Sequence, residues 1–472
     1  MSKKTTYVVP EQDRVSAASK LCYSIGFAGK DTFQVIANNY LMMFLMMVAG
    51  LDGAFIGTMM LVARIWDAIN DPILGSIADH TNSRWGRFRP YIFSAIPMAI
   101  VFALMFFCPN LSNSGKMVYY TVVYICYGMI YTILEVPYFG LTGAMTHDPQ
   151  ERASITAWSR IVSRIPQFAL PLLLAFMVNK FDAPGLPIGE HGAFYTAIII
   201  GIIAIVCSLF SFFGCKEKAL VNAEPAAKKS SGFRDFWNVL KGNRALLVVM
   251  IAQLFFTFNT ILCDMLNSYY LTYSLGSPAL ILGVGVSLVA VGACIGQFFY
   301  PYVSSAAGSC KTIMVAGVPV YCVLLACCYV AGKVSIPLYL VVLILTNVLS
   351  GMLQINVINL CFEVCDKLEW KNGVRADATV FAVVSFLMKL AAGLAATIAG
   401  WGLKLVGFQG MGPVMIDVTP AMASGVAVLR FALPGCLALI AFIAVLFYPI
   451  KKDEIASIRA DLAERHQKQR AE

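Results

Sequence analysis

The sequence predicts an all-α integral membrane protein of twelve transmembrane helices arranged as two six-helix bundles. Three observations lead there. Of 472 residues, 13% are charged and 59% hydrophobic, whereas a soluble domain carries about 25% charged residues. Long apolar runs recur along the chain, and roughly 20 such residues suffice for one helical crossing of a hydrocarbon core about 30 Å thick. One polar stretch, Lys216 to Lys241, divides the runs six and six.

Taken in order, the runs place crossings at 20–48, 54–79, 90–108, 117–143, 153–179 and 193–215, then at 244–275, 279–304, 311–332, 336–364, 376–404 and 425–449. The segment 1–19 is polar and has no apolar core after its basic start, so no signal peptide is expected. Residues 20–215 form the first bundle and 244–450 the second. Between them 216–243, with KEK, AEPAAKKSSG and FRD, reads as a linker. The tail 451–472 carries Ile455, Ile458 and Leu462 at helical spacing, which suits either a solvated helix or one lying on the membrane surface.

Lys and Arg set the orientation. With both termini in the cytoplasm, 25 of the 35 lie inside and four outside (Lys116, Lys180, Lys333 and Lys404), while six fall within spans. That asymmetry predicts a multi-pass protein of the cell membrane with both ends cytoplasmic. The net charge of +9 therefore belongs to short loops and does not point to nucleic acid. Fourteen cysteines sit in apolar stretches without CxxC or Cys/His clusters and read as small buried hydrophobes. The four histidines fall in loops or the tail, which leaves carboxylates for any proton relay.

A charge at the bilayer centre costs about 2.5 kcal/mol or more, so each one within a span marks a functional hypothesis. Here these are Lys30, Asp31, Arg64, Asp67, Asp71, Glu135, Arg160, Arg164, Asp264, Lys389 and Arg430. On the second span Arg64, Asp67 and Asp71 recur at i, i+3 and i+7, one helical face, with Asn70 on its edge. Two carboxylates one turn apart, with neutral oxygens beside them, suit a small hard cation. Their mutual repulsion equally suits a proton. The alternative is an ion-pair network in which both Asp residues satisfy Arg64 and Arg160. Asp31 and Glu135 face the basic candidates Arg160 and Arg164, and such groups can hydrogen-bond sugar hydroxyls. Tyr131, Tyr138 and Phe139 can cover the apolar face of a sugar or simply pack.

Between spans two and three, Gly75, Asp79, Arg84, Gly86, Arg87 and Arg89 resemble the G-x-x-x-D…R-x-G-R loop of the major facilitator superfamily, with residues inserted. The stretches KLCYSIGFAGKD (20–31), LVARIWDAINDPILG (61–75), SRWGRFRP (83–90), YGMIYTILEVPYFGL (127–141) and CDKLEWKNGVR (365–375), with the span around Lys389, resemble the glycoside–pentoside–hexuronide:cation symporters of that superfamily. The resemblance is collinear through most of the chain and strongest in its first 165 residues. It implies the major facilitator fold and a cation site at Asp67, Asn70, Asp71 and Thr132. If sodium is the coupling ion, Asp67 and Asp71 are its ligands. It also implies a sugar site around Lys30, Asp31, Arg64, Tyr131, Glu135, Phe139, Arg160 and Lys389. Glu135 and Phe139 depart from the Asp and Trp of the family pattern, both in the sugar half of the site. Arg164 and Asp264 are candidates for specificity, and Asp264, which has no family counterpart, is a candidate partner for Lys389.

The sequence thus predicts a secondary transporter moving a glycoside, pentoside or hexuronide with Na+, Li+ or H+ by alternating access. It predicts no soluble cofactor and no enzyme. A sodium-dependent lysolipid carrier would need an apolar slot, which the dense charge on spans one, two, four and five opposes. A membrane sugar sensor that does not transport stays open. An intramembrane prenyltransferase would need two Asp-rich sites, and only NDPIL, preceded by Asp67, is present.

Overall fold

The computed structural model describes residues 14–81, 83–146, 149–183, 186–217, 243–277, 279–372, 377–408 and 419–450, together with 454, 455, 457, 458 and 461. The expected linker from 218 to 242 and the side chains of Asp71 and Asp79 lie outside the described residues. Among the described residues regular structure is helical throughout. Six helices precede the linker: α1 (Ala17–Ile36, continued by a π-turn Ala37–Leu41 and Met42–Met47), α2 (Gly53–His80), α3 (Ala95–Met105, led in by a 3₁₀ turn Arg89–Ser94), α4 (Asn113–Met145), α5 (Pro149–Val162 and Arg164–Phe181) and α6 (Glu190–Gly214). Six follow: α7 (Arg244–Tyr269, then a π-turn Tyr270–Ser274), α8 (Ala279–Ala307), α9 (Cys310–Val334), α10 (Ile336–Asn372), α11 (Asp377–Leu405) and α12 (Pro420–Ala427, π-turn Val428–Ala432, Leu433–Leu446).

These helices form because their residues are apolar nearly all round, the pattern of a lipid-embedded segment rather than of an amphipathic surface helix. Large side chains such as Ile100, Val118, Phe213, Phe298 and Val334 stay more than half exposed. On so many helices an exposed apolar belt has lipid as its natural solvent. Local chemistry fixes the ends. Ser16 accepts a hydrogen bond from the Ser19 N–H (3.1 Å) at the start of α1, and Ser112 from the Gly115 N–H (3.3 Å) at the start of α4.

The two bundles meet along two helix pairs, α2 with α11 and α5 with α8. The α2–α11 seam is built of small residues. A Cβ on Gly57 would stand 2.7 Å from the Ala396 carbonyl oxygen, so the two backbones approach as only glycine permits. Thr397 Oγ1 donates to the Gly57 carbonyl (3.1 Å), and Lys404 pairs with Asp52 (3.1 Å) at the end of the seam. Tyr269 and Tyr273 of α7 point their hydroxyls at Met46 Sδ (3.3 Å) and Met47 Sδ (2.8 Å) of α1. All these contacts lie at the end of the molecule remote from Ala17, which is packed shut.

One expectation changes, that for the tail. Ile455 and Ile458 are 2% and 1% exposed, so the start of the tail docks on protein and is neither a solvated helix nor a membrane-surface one. Lys367 of α10 holds Glu454 (2.6 Å) and Trp370 donates to Asp461 (3.1 Å), which is why the tail folds back.

Candidate binding cavity between α1, α2, α4 and α11

Lys30 is the centre of the charged cluster. Its side chain is 2% exposed, and Nζ donates to Asp31 Oδ1 (2.6 Å), Glu135 Oε1 (3.0 Å) and the Tyr131 hydroxyl (3.1 Å). Neighbours at i and i+1 do not face each other on a helix. The long lysine stem reaches round to its own neighbour and across to α4. Tyr131 in turn donates to Glu135 (3.1 Å). Pro137 lies inside α4 two residues beyond Glu135 and removes one backbone donor there, a natural site for a bend. Lys30 is thus the hydrogen-bonded partner of both carboxylates, while Arg164 lies within the electrostatic reach of Asp31 and Arg160 shares the Phe27 ring with Lys30.

Aromatic rings line the same place. Lys30 Nζ lies 4.4 Å from the centre of the Phe27 ring and 5.8 Å from that of Phe139, and the Arg160 guanidinium lies 5.8 Å from Phe27. Phe139 is 52% exposed whereas Tyr138 is fully buried and accepts from the Tyr23 hydroxyl at its carbonyl (2.9 Å). Of the two adjacent aromatics, Tyr138 packs and Phe139 is open to a ligand.

Asp67 sits two turns along the same face of α4, at Gly128, seven residues before Glu135. Its Oδ1 lies 2.5 Å from where a Cβ on Gly128 would stand, so the carboxylate rests against bare backbone. Thr132 Oγ1 donates to the Gly128 carbonyl (3.1 Å), which brings a hydroxyl oxygen to the same turn. Asn70, one turn along α2 from Asp67, is 8% exposed. Its Nδ2 has no hydrogen-bond partner among the described residues. Arg64 reaches Asp67 at 3.5 Å, and Lys389 of α11 lies within the electrostatic reach of both. An acidic oxygen and a hydroxyl thus meet at one turn of α4, with a buried amide one turn further along α2. That is the hard-oxygen chemistry a small cation takes as cargo. Asp71 lies on α2, with its side chain outside the described residues.

Arg164 lies within the electrostatic reach of Asp31 and Arg160. It donates to Gln167 (2.7 Å) and, across the bundle interface, to Gln297 of α8. Asp264 interacts with Arg430, which is 2% exposed. Arg430 lies on the buried face of α12, four residues after Val426 and seven before Leu437.

Sequence reasoning missed Phe27, Tyr124, Tyr127 and Gln297. Tyr124, Tyr127 and Tyr131 stack in sequence, with centres 5.9 and 6.0 Å apart, beside Arg64. Their spacing of i, i+3 and i+7 was readable as a stripe on α4. Phe27, one turn before Asp31, was readable likewise. Gln297 carries no signal until its partner Arg164 is seen.

Two bundles meeting along α2–α11 and α5–α8, with charged groups buried between them, define a secondary transporter of the major facilitator type. The chain belongs to the MFS/sugar transport protein family, whose pattern matches residues 22–452. It is 28% identical over 457 residues to the inner membrane symporter YicJ of Escherichia coli, covering 95% of each chain. It is 27% identical to the isoprimeverose transporter of Lactiplantibacillus pentosus, covering 98% of this chain and 95% of that one. Its fold is similar to that of the nucleoside transporter NupG, with TM-score 0.62 at 14% identity over 92% of this chain and 100% of that one.

Proposed function

We propose that the chain moves a sugar into the cell together with a monovalent cation, Na+, Li+ or H+, by alternating access. The observation that carries this reading is the pairing of two clusters along one face of α4, Asp67 at Gly128 and Thr132 and Lys30 at Tyr131 and Glu135. Asp67 with Asn70 and Thr132 supplies a cation site, completed by Asp71. Lys30, Asp31 and Glu135 supply fixed donors and acceptors for sugar hydroxyls over the rings of Phe27 and Phe139, assisted by Tyr131 and Arg160. Arg64 borders both clusters, through Asp67 and Tyr131, and Glu135 lies within the field of Asp67, so a cation at Asp67 changes the field felt by the sugar. By linkage the sugar changes cation affinity by the same factor.

Both termini lie in the cytoplasm of a cell membrane on this reading, as the Lys and Arg bias directs. The packed seam from Gly53 to Lys404 then closes the outer side, and the opposite state requires it to part. A glycoside or pentoside is favoured as cargo by the similarity to an isoprimeverose transporter. A lysolipid carrier is disfavoured because the cavity is lined with charge rather than with an apolar slot. No soluble cofactor enters the cycle, and no chemical reaction is assigned.

The test is a panel of neutral glycosides, pentosides and hexuronides presented to the purified protein in proteoliposomes, with sodium and proton movement recorded. A sugar that drives one of those cations supports symport. Counterflow without cation movement makes the protein a uniporter, and binding without counterflow makes it a sensor.

A further inference from the structure

The second bundle holds a cavity of about 50 Å³ apart from the Lys30 cluster, walled by α7, α8, α9, α10 and α12. About 10–15 Å³ is enough to seat one water, so this space takes several waters or a small hydroxylated fragment and no complete sugar ring. Arg430 lines it. Nη1 of Arg430 donates to Cys263 Sγ (3.2 Å), while its Nε has no hydrogen-bond partner among the described residues although the side chain is 98% buried, 2% remaining exposed. Asp264 lines the same cavity and lies within the field of that guanidinium. On α10, Asn347, Ser350 and Gln354 add polar groups at i, i+3 and i+7, one helical face.

A buried donor left unmade costs roughly 1–3 kcal/mol, so a cavity ending on one is built to be filled by an acceptor. Asp264 and Arg430 balance in charge, which favours a neutral group offering both an acceptor and a donor. A hydroxyl does both. The cavity also adjoins the central site. Val289 and Ala293 of α8 line it, and Gln297, which receives Arg164 from the first bundle, lies on the same face one turn further, about 6 Å along the axis.

We propose that this cavity is a second subsite for the carried molecule, taking a neutral hydroxylated group that lies beyond the sugar ring held at Lys30. Asp264 accepts from that group and Arg430 Nε donates to it. The inference rests on the sugar reading above and extends it: the preferred cargo has a second hydroxylated moiety, and the second bundle reads it.

The experiment uses the full chain in proteoliposomes. Disaccharides carried by the parent are each compared with the methyl glycoside of their non-reducing ring as competitors, on the parent and on the Asp264→Asn and Ser350→Leu variants. Ser350→Leu fills the cavity while keeping both charges, and melting temperatures report whether either variant is unfolded. The expected result is that both variants weaken competition by the disaccharide tenfold or more and leave the methyl glycoside within twofold. Equal changes for both ligands, no change for either, or a parent that binds the methyl glycoside as tightly as the disaccharide overturns the proposal. Absence of counterflow for every sugar of the panel sinks the sugar reading itself.

Discussion

Gly128→Ala strikes the candidate cation site at its tightest contact. The added Cβ would stand 2.5 Å from Asp67 Oδ1, whereas ordinary contact begins at 3.4 Å, so the carboxylate must retreat by the difference, about 0.9 Å. Two effects oppose each other. In a helix interior, alanine for glycine is favourable by about 1 kcal/mol, which alone would make the variant better behaved than the parent. Displacing a functional group by about 1 Å costs up to about 100-fold in function, or nearly 3 kcal/mol at 1.4 kcal/mol per tenfold. The second effect should win at the cation and not elsewhere. Cation-stimulated sugar uptake in vesicles should show a half-saturating cation concentration raised 10- to 100-fold, with sugar exchange in the absence of a gradient kept within threefold. Gly435→Ala is the control, since nothing lies within 4 Å of its added Cβ, and it should match the parent. A parental cation response in Gly128→Ala, or an equal loss of exchange and coupling, refutes the placement of the cation at Asp67.

Three further outcomes follow from the same geometry. Asp67→Cys and Asp71→Cys should each abolish concentration of sugar against a gradient while leaving exchange measurable, and either variant accumulating sugar as the parent does would remove that residue from the cation site. Lys30→Met leaves Asp31 and Glu135 without their shared cation, a change worth about 3–5 kcal/mol for a buried pair. Sugar binding by titration calorimetry should be lost whatever cation is present, and Asp31→Asn should lose it too, so parental affinity in either contradicts the sugar assignment. At the outer seam, burial raises the Asp52 carboxyl, but Lys404 and the N–H groups of Phe55 and Ala54 outweigh it and hold it below its ordinary value. A depressed carboxyl contributes stability above its unfolded pKa of about 3.9, lost only as pH falls through the lower folded value. Transport between pH 5 and 8 should therefore be the same in Lys404→Gln as in the parent to within about threefold, since a half-exposed ion pair is worth at most about 1 kcal/mol; a larger, pH-dependent change would mean that the ion pair rather than the glycine seam closes this end.

What the sequence disclosed and what it hid divide along physical lines. Runs of apolar residues report lipid directly, so the helices were legible, as was the α2 face of Arg64, Asp67 and Asp71 with Asn70 on its edge, of which Arg64, Asp67 and Asn70 have described side chains. The pairing of α2 with α11 was not, because Gly57 and Ala396 signal close packing only once their helices are known to meet. Spacing within a helix cannot say which base across a bundle meets which acid. Lys30, adjacent to Asp31 and wrongly oriented on an ideal helix, is a shared partner that spacing alone does not name. Arg430 shows the same limit: its spacing from Val426 and Leu437 puts it on the buried face of α12, but does not say that Asp264 of α7 is the acid it meets.

The pairing of Asp264 with Arg430 sharpens the question of cargo charge. Asp264 and Arg430 neutralise each other in their own cavity, which removes one charge of each sign from the central site. Lys30, Arg64, Arg160, Arg164 and Lys389 then face Asp31, Asp67, Asp71 and Glu135, a surplus of one positive charge, or two with a monovalent cation bound. A charge-assisted hydrogen bond is roughly twice as strong as a neutral one, so a surplus of this kind can accept a uronate. The geometry tempers that reading. Lys30 already bonds to two carboxylates, Arg64 and Lys389 both lie in the field of Asp67, and Arg164 is held by Gln167 and Gln297. Arg160, exposed and stacked over Phe27, is the base best placed to meet a ligand carboxylate. The deciding measurement is competition. If the cargo is a uronide, unlabelled glucuronide or galacturonide displaces the labelled substrate better than the matching neutral hexoside, and Arg160→Gln abolishes that preference. A neutral hexoside that wins at every pH between about 5 and 8, with its rank unchanged in Arg160→Gln and Lys389→Gln, makes the positive surplus a feature of helix pairing and leaves a neutral glycoside or pentoside as the cargo.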